Sequence, residues 1–152
     1  MISPELVRRY SFFGGFAAKE LKELAMAGNE RILEPGETLF SEGDRADWLY
    51  FLADGEVETL VHGEGETENI PISTLPAGEP VGWSAVIEPH VYTASARTTR
   101  PSKVLVFGRN DLARLLEEPN FAALLMRKVA EVVSRRLRDT QLQLVSLTAR
   151  QA

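Results

Sequence analysis

The pattern of apolar and polar positions changes twice along the chain. Near the start, Ser3 followed by Pro4 is typical of a helix cap with proline in the first turn, and the segment Ala17–Ala27 carries its apolar residues on one face. Between residues 30 and 107 the pattern predicts short strands separated by turns. Helical periodicity then returns, so we expect a β-rich body with helices at both ends of the chain.

Turn residues divide the central segment into strands. Pro35 and Gly36 fit the two central positions of a type II turn, and Gly43-Asp44 and Asp54-Gly55 mark two further turns. Strands that recur about every 8–12 residues between such turns are typical of a barrel or jelly roll rather than of a β-α-β sheet. The predicted strands are residues 31–33, 37–40, 48–53, 56–61, 70–75, 94–99 and 102–107.

Strands that follow one another in sequence are expected to pair. Residues 37–40 should pair back onto 31–33, and residues 48–53 should form a tight hairpin with 56–61. The last pair should join 94–99 to 102–107 through Arg100-Pro101, while residues 62–69 form the tip of a hairpin that returns along 70–75.

The C-terminal part of the chain predicts two helices. Asn110 or Asp111 caps a short helix that ends at Glu118, and Asn120 caps a long helix that extends to about Leu147. Its apolar residues form either one wide stripe facing the core or two stripes with two different neighbours, and we favour the second arrangement. One stripe faces the barrel and contains Phe121, Leu124, Leu125, Val129 and Val132. The other, here called the seam, has the alternating 4-3 spacing of a coiled coil and predicts a homodimer interface at Met126, Ala130, Val133, Leu137, Thr140, Leu144 and Leu147.

Composition and charge narrow the range of functions. A chain of 152 residues with 44% hydrophobic and 26% charged residues predicts one domain, with residues 1–120 forming the body and residues 121–152 the dimerisation helix. The absence of cysteine excludes disulfides, thiolate catalysis and cysteine-ligated metals. No apolar run is long enough for a membrane span and no signal peptide is present, so a cytoplasmic location is expected.

The net charge of −5 is unevenly distributed. Residues 121–152 carry a net charge of +4 and residues 1–120 a net charge of −9. Direct DNA binding is therefore not expected, because contacts to phosphate supply most of the affinity for nucleic acid.

Four short segments of the sequence resemble a known family. They are Ile32 to Glu37, Leu39 to Asp44, Leu49 to Val57 and Val81 to Ala85, with glycines at positions 36, 43, 55 and 82. Together with the order of elements, they resemble the cyclic-nucleotide-binding domain of the catabolite-activator (Crp/Fnr) family from Phe12 to about Leu137. The resemblance implies a mainly β fold with flanking helices, namely a double-stranded β-helix (jelly-roll) barrel with a long C-terminal helix, and a regulatory, non-catalytic role.

Members of that family bind a cyclic phosphate in a cassette, which here corresponds to residues 82–94. The glycine is kept as Gly82 and the hydroxyl-alanine pair as Thr93-Ala94, but Trp83 stands at the position of the glutamate that binds ribose. Tyr92 stands at the position of the arginine that neutralises the phosphate. The expected ligand site comprises Gly82, Trp83, Ser84, Ala85, Tyr92, Thr93, Ala94 and, on a regular strand, Arg97 facing the same way as Thr93.

The two substitutions predict weak binding of cyclic AMP. The backbone N–H groups of Ser84 and Ala85 are expected to be unpaired and to keep a weak preference for anions, so a small anion or a nucleotide-like molecule is the expected ligand. No metal site or other cofactor is expected. Two alternatives remain open: an interaction module whose pocket is plugged by Trp83 and Tyr92, and a transcription-regulator homologue without a DNA-binding half.

Overall fold

Two four-stranded antiparallel sheets form the body of the protein, and helices lie at both ends of the chain. Residues 1–63 and 68–151 are described by the computed structural model. The helices are α1 (Pro4–Arg8), α2 (Ala18–Ala27), α3 (Arg109–Leu115) and α4 (Pro119–Gln151), and 3-10 turns occur at Ser11–Phe13 and Trp83–Ala85. The strands are β1 (Gly28–Leu33), β2 (Thr38–Phe40), β3 (Trp48–Asp54), β4 (Glu56–His62), β5 (Asn69–Pro76), β6 (Pro80–Val81), β7 (Ser95–Thr98) and β8 (Ser102–Gly108).

The interior of the barrel lies between the two sheets. One sheet has the strand order β1-β8-β3-β6 and the other β2-β7-β4-β5. Alternation along each strand turns every second side chain inward, so all eight strands contribute to one apolar cluster. Its buried members are Leu33, Leu39, Tyr50, Leu52, Val57, Leu75, Val81, Ala96, Val104 and Val106. The predicted jelly-roll fold is confirmed.

Three of the predicted strand pairings are wrong. Strand β2 pairs with β7 rather than with β1, and β3 and β4 lie in different sheets, as do β7 and β8. The chain crosses between the sheets at Gly55, whose φ of +100° lies in the left-handed region, and a Cβ there would lie 2.7 Å from the Pro101 carbonyl oxygen. The hairpin of β4 and β5 is confirmed, although residues 64–67 of its predicted tip lie outside the described residues.

The helices pack on the outer side of the first sheet around a second apolar cluster. The rings of Phe13 and Phe51 lie 4.8 Å apart between centroids, and those of Phe16 and Phe121 lie 5.2 Å apart. The barrel-facing stripe of the long helix is confirmed, since its buried residues are Phe121, Leu125, Val129 and Val132. Both C-terminal helices begin slightly earlier than predicted. The N-cap of α3 is Gly108, and the first residue of α4 is Pro119, a residue type that is favoured in the first turn of a helix.

The second half of α4 is largely exposed. From residue 133 to residue 151 every described residue is exposed except Arg136, which is partly buried. The large aliphatic residues of the seam are among the exposed ones, with Leu137 57% and Leu144 59% exposed. Within the described part of the chain, no helix combines the length and apolarity needed to cross a membrane.

Candidate ligand-binding site

The cassette begins where a very short strand leaves the barrel. Strand β6 pairs with β3, and Gly82 follows it with φ +83° and ψ +40°, which reverses the chain into the 3-10 turn. A Cβ at this position would lie 3.1 Å from the ring of Tyr92, so both the backbone conformation and the available space favour glycine. The N–H of Ala85 donates to the carbonyl of Gly82 at 3.2 Å. The expectation that this amide is unpaired is therefore wrong, because the 3-10 turn uses it.

Backbone hydrogen bonds hold the far side of the cassette against the loop before β3. The Tyr92 N–H donates to the Asp44 carbonyl at 3.0 Å, and the Gly43 N–H donates to the Tyr92 carbonyl at 2.9 Å. Thr93 follows in a bend, and strand β7 begins only at Ser95. Because Thr93 precedes the strand, the regular strand that was expected to align it with Arg97 does not exist.

Tyr92 stands at the arginine position of the cassette and is a packing residue. Its side chain is buried, and its ring stacks on Phe40 with 3.8 Å between centroids. The hydroxyl donates to the Trp48 carbonyl at 2.6 Å. Burial raises the pKa of Tyr92 to about 12, and the hydrogen bond that its oxygen accepts from the Trp48 N–H at 3.3 Å opposes part of that rise. The polar atom of Tyr92 is thus engaged with β3 rather than with the space in front of the cassette.

Arg97 lies away from the cassette and pairs with a neighbouring strand. Its Nε donates to Oε1 of Glu58 at 3.1 Å, across the pairing of β7 with β4. Among the described residues, those that line the space in front of the cassette do not include Arg97. Arg97 is therefore a partly buried arginine that pairs two strands of one sheet, and it does not reach the cassette.

A different arginine reaches the cassette, and it comes from α4. The guanidinium carbon of Arg136 lies 4.6 Å from the centroid of the Trp83 ring, within the range of a cation–π interaction. Its Nη2 donates to the Pro80 carbonyl at 2.7 Å. The side chain of Arg136 is only 15% exposed. Trp83 therefore packs against a cation of the C-terminal helix.

Glu79 forms ion pairs with this arginine and with its neighbour Arg135. Oε2 of Glu79 accepts from Arg136 Nη2 at 3.1 Å, and Oε1 accepts from Arg135 Nη2 at 2.6 Å. Burial lowers the pKa of Arg136, while the hydrogen bond and charge of Glu79 oppose that change. Nε of Arg136 is buried, and within the described residues it has no hydrogen-bond partner.

Two adjoining spaces lie around these side chains. A cavity of about 50 Å³ lies directly in front of the cassette, and a groove of about 480 Å³ runs between β5 and α4. The cavity holds only a few water molecules, whereas the groove falls within the roughly 300–1,000 Å³ typical of small-molecule sites. The residues that line both spaces are Thr59, Trp83, Thr93, Ala94 and Arg136.

Comparisons with known proteins assign this arrangement to a family. Residues 30–119 match the family model of the cyclic nucleotide-binding domain. The chain belongs to the cyclic nucleotide-binding domain family. A protein of Geobacter metallireducens assigned to cyclic nucleotide binding has a similar structure, with a TM-score of 0.80 and 33% identity over 90% of this chain and 99% of that one.

Two further proteins are similar in sequence. The cyclic AMP receptor protein of Thermus thermophilus is 29% identical over 142 residues, which cover 92% of this chain and 63% of that protein. The transcriptional activator Anr of Pseudomonas protegens is 33% identical over 134 residues, 87% of this chain and 51% of that protein. This cyclic nucleotide-binding domain therefore spans between half and two thirds of the length of these relatives.

Within this cyclic nucleotide-binding domain, most of the predicted site residues come together. The cavity is lined by six of them, namely Gly82, Trp83, Ser84, Tyr92, Thr93 and Ala94, while Ala85 is buried in the core. Sequence reasoning missed Glu79, Arg135 and Arg136. The available signals were a glutamate directly before the cassette strand and two consecutive arginines between the seam positions Val133 and Leu137.

Proposed function

We propose that this domain is a non-catalytic regulatory or sensory module that binds a small ligand and does not bind cyclic AMP tightly. One observation carries the proposal: the position of the phosphate-binding arginine holds Tyr92, whose hydroxyl is bonded to the backbone of Trp48. The position of the ribose-binding glutamate holds Trp83, which packs on Arg136. Neither side chain offers the charge that the resemblance assigns to these positions.

The expected loss of nucleotide affinity is large enough to measure. A hydrogen bond to a charged group contributes about 1.5–3 kcal/mol, so two missing bonds weaken binding by roughly a hundredfold to ten-thousandfold. A micromolar site becomes a site of about 0.1–10 mM. Calorimetry with cyclic AMP should show no saturation in the micromolar range, and a dissociation constant of a few micromolar would contradict the proposal.

A plugged interaction module is the second candidate, and the small cavity favours it. The space in front of the cassette is only about 50 Å³, and Trp83 and Arg136 both line it. A thermal-shift screen with nucleotides and small anions separates the candidates. Stabilisation by any of these compounds supports a ligand-binding domain, whereas none supports a protein partner bound by the barrel surface.

We further propose that the chain forms a homodimer through the seam of α4. Support comes from the exposed aliphatic residues, because Val133 is 37%, Leu137 57% and Leu147 54% exposed in the single chain. Their spacing is that of a coiled coil, in which a second helix covers such a stripe. Direct DNA binding by residues 1–120 is not expected because of their net charge of −9, and a salt-dependent mobility-shift assay tests this.

A further inference from the structure

Two arginines of α4 converge on one carboxylate at the edge of the groove. Each oxygen of Glu79 accepts from a different guanidinium, at 2.6 Å from Arg135 and 3.1 Å from Arg136. Guanidinium groups bind carboxylates and phosphates in this way, through several charge-assisted hydrogen bonds to one anion. The groove beside them, at about 480 Å³, is lined by these three residues, by apolar and hydroxyl side chains of β4, β5 and α4, and by Trp83, Thr93 and Ala94 of the cassette. Two further polar residues of α4, Asp139 and Gln143, complete the lining.

We propose that Arg135 and Arg136 form the anion-binding site of this domain, that Glu79 occupies it as an internal carboxylate, and that a small organic phosphate or carboxylate competes with Glu79 for it. The body of such a ligand lies in the groove. The inference rests on the proposed function, since it names the ligand class of the same site. In this domain the positive charge that binds the anion is supplied by α4, because the arginine position of the cassette holds Tyr92.

Arg136 differs from Arg97 in the hydrogen bonding of its Nε. Its side chain is 15% exposed, yet Nε has no partner among the described residues, and a buried donor without an acceptor is costly. By contrast, Arg97 directs both Nε and Nη2 to Glu58. The two oxygens of Glu79 are both used by Nη2 atoms, so a phosphate group, with more oxygens, has acceptors left for Nε.

The internal carboxylate sets how tightly an external anion binds. A side chain attached next to its site has an effective concentration in the millimolar range or above, so external anions bind weakly to the wild type. Removing the carboxylate takes away the competitor and leaves two cations, one of them largely buried. Anion affinity should therefore rise at least about tenfold when Glu79 loses its charge, which is the reverse of what loss of a ligand-binding residue causes.

Chemical rescue tests the site in the full chain. Glu79→Gln and Glu79→Ala are compared with the wild type in inorganic phosphate, acetate and chloride at one pH and ionic strength. We expect both variants to melt at a lower temperature than the wild type and to regain about 3 °C or more in phosphate at ten times its dissociation constant. Glu58→Gln is the matched control, because Glu58 is 19% exposed and Glu79 17%, and each is paired with arginine.

Fluorescence provides a second measurement that does not depend on stability. In a Trp48→Phe background the remaining tryptophan is Trp83, which contacts Arg136, so phosphate binding to Glu79→Gln should change its emission. Adding Arg136→Gln should abolish both the emission change and the thermal rescue. A phosphate response of the Glu79 variants no larger than that of Glu58→Gln would overturn the proposal.

A phosphate titration of the wild type, followed by its amide resonances, separates this inference from the proposed function. Wild-type amide resonances of Gly82 and Thr93 that respond to phosphate, with no rescue of the Glu79 variants, refute the two-arginine site and leave the ligand-binding domain standing. No response in either measurement refutes the two-arginine site, whereas the ligand-binding domain is refuted only if no nucleotide or small anion of the screen stabilises the wild type.

Discussion

Replacing Leu137 with aspartate is expected to convert the proposed dimer into a monomer. Leu137 lies in the middle of the seam and is 57% exposed in the single chain. Burying a whole leucine side chain contributes about 1.5–3 kcal/mol, so covering the remaining 57% contributes ~1–1.7 kcal/mol per protomer and ~2–3 kcal/mol per dimer. The variant loses this contribution in both copies.

The introduced charge adds a second cost. Each carboxylate must be brought into an apolar contact without a partner, which costs at least about 1 kcal/mol per protomer. The two effects together amount to at least ~4 kcal/mol, and ~1.4 kcal/mol corresponds to a factor of ten. The dissociation constant of the dimer should therefore rise by roughly a thousandfold or more.

Light scattering coupled to size-exclusion chromatography, repeated over a range of concentrations, measures the outcome. The wild type should have about twice the chain mass of 16.9 kDa, and Leu137→Asp should have the single mass. Leu142→Asp is the control, because Leu142 is 56% exposed on the same helix but lies outside the seam. The reasoning is refuted if the wild type has the mass of one chain, or if Leu142→Asp dissociates the dimer as completely as Leu137→Asp.

Three further measurements test the cassette. Trp83→Glu restores one hydrogen-bonding carboxylate and should tighten cyclic AMP binding about tenfold in calorimetry, and an unchanged affinity would contradict the assigned alignment. Gly82→Ala should lower the free energy of unfolding by ~1–2 kcal/mol in a denaturant titration, because φ is +83° and the Cβ would crowd Tyr92; a loss below experimental error would contradict this. A millimolar phosphate titration at fixed pH and ionic strength should shift the amide resonances of Ser84 and Thr93, and unmoved resonances would favour the plugged barrel.

Local signals in the sequence were sufficient for most of the strands and turns. The turn at Pro35-Gly36 is present as predicted, with the Glu37 N–H donating to the Glu34 carbonyl at 3.3 Å and a φ of +85° at Gly36. The partner of each strand could not be predicted in this way. Alternation gives the buried face of a strand but not the strand beside it, and at Gly55 a turn that resembles a hairpin instead carries the chain from one sheet to the other.

The same distinction between local and distant signals applies to the candidate site. The positions of the cassette residues could be predicted from the segment around Gly82, because that signal is local in sequence. The role of Tyr92 depends on Trp48, and that of Arg136 depends on Glu79, so each is decided by a residue more than 40 positions away. Because Tyr92 is a core residue, the exchange Tyr92→Arg would bury a guanidinium beside Phe40 rather than simply restore a phosphate ligand.

The proposed anion site and the proposed dimer seam lie on one helix, α4, and this arrangement is the physical basis that we propose for a regulatory role. Arg136 lies three residues after Val133 and four before Thr140, so these residues occupy one face of α4, and Val133, Leu137 and Thr140 also line the groove. An anion that replaces Glu79 changes the contact that holds this part of α4 against the barrel. If the anion favours one position of the helix, it favours the dimer that this position allows, and dimer formation must then alter anion affinity by the same factor. Such coupling requires no charged residue in the cassette, so a domain with Trp83 and Tyr92 in place of the family's charged residues retains the means to report a ligand through its C-terminal helix.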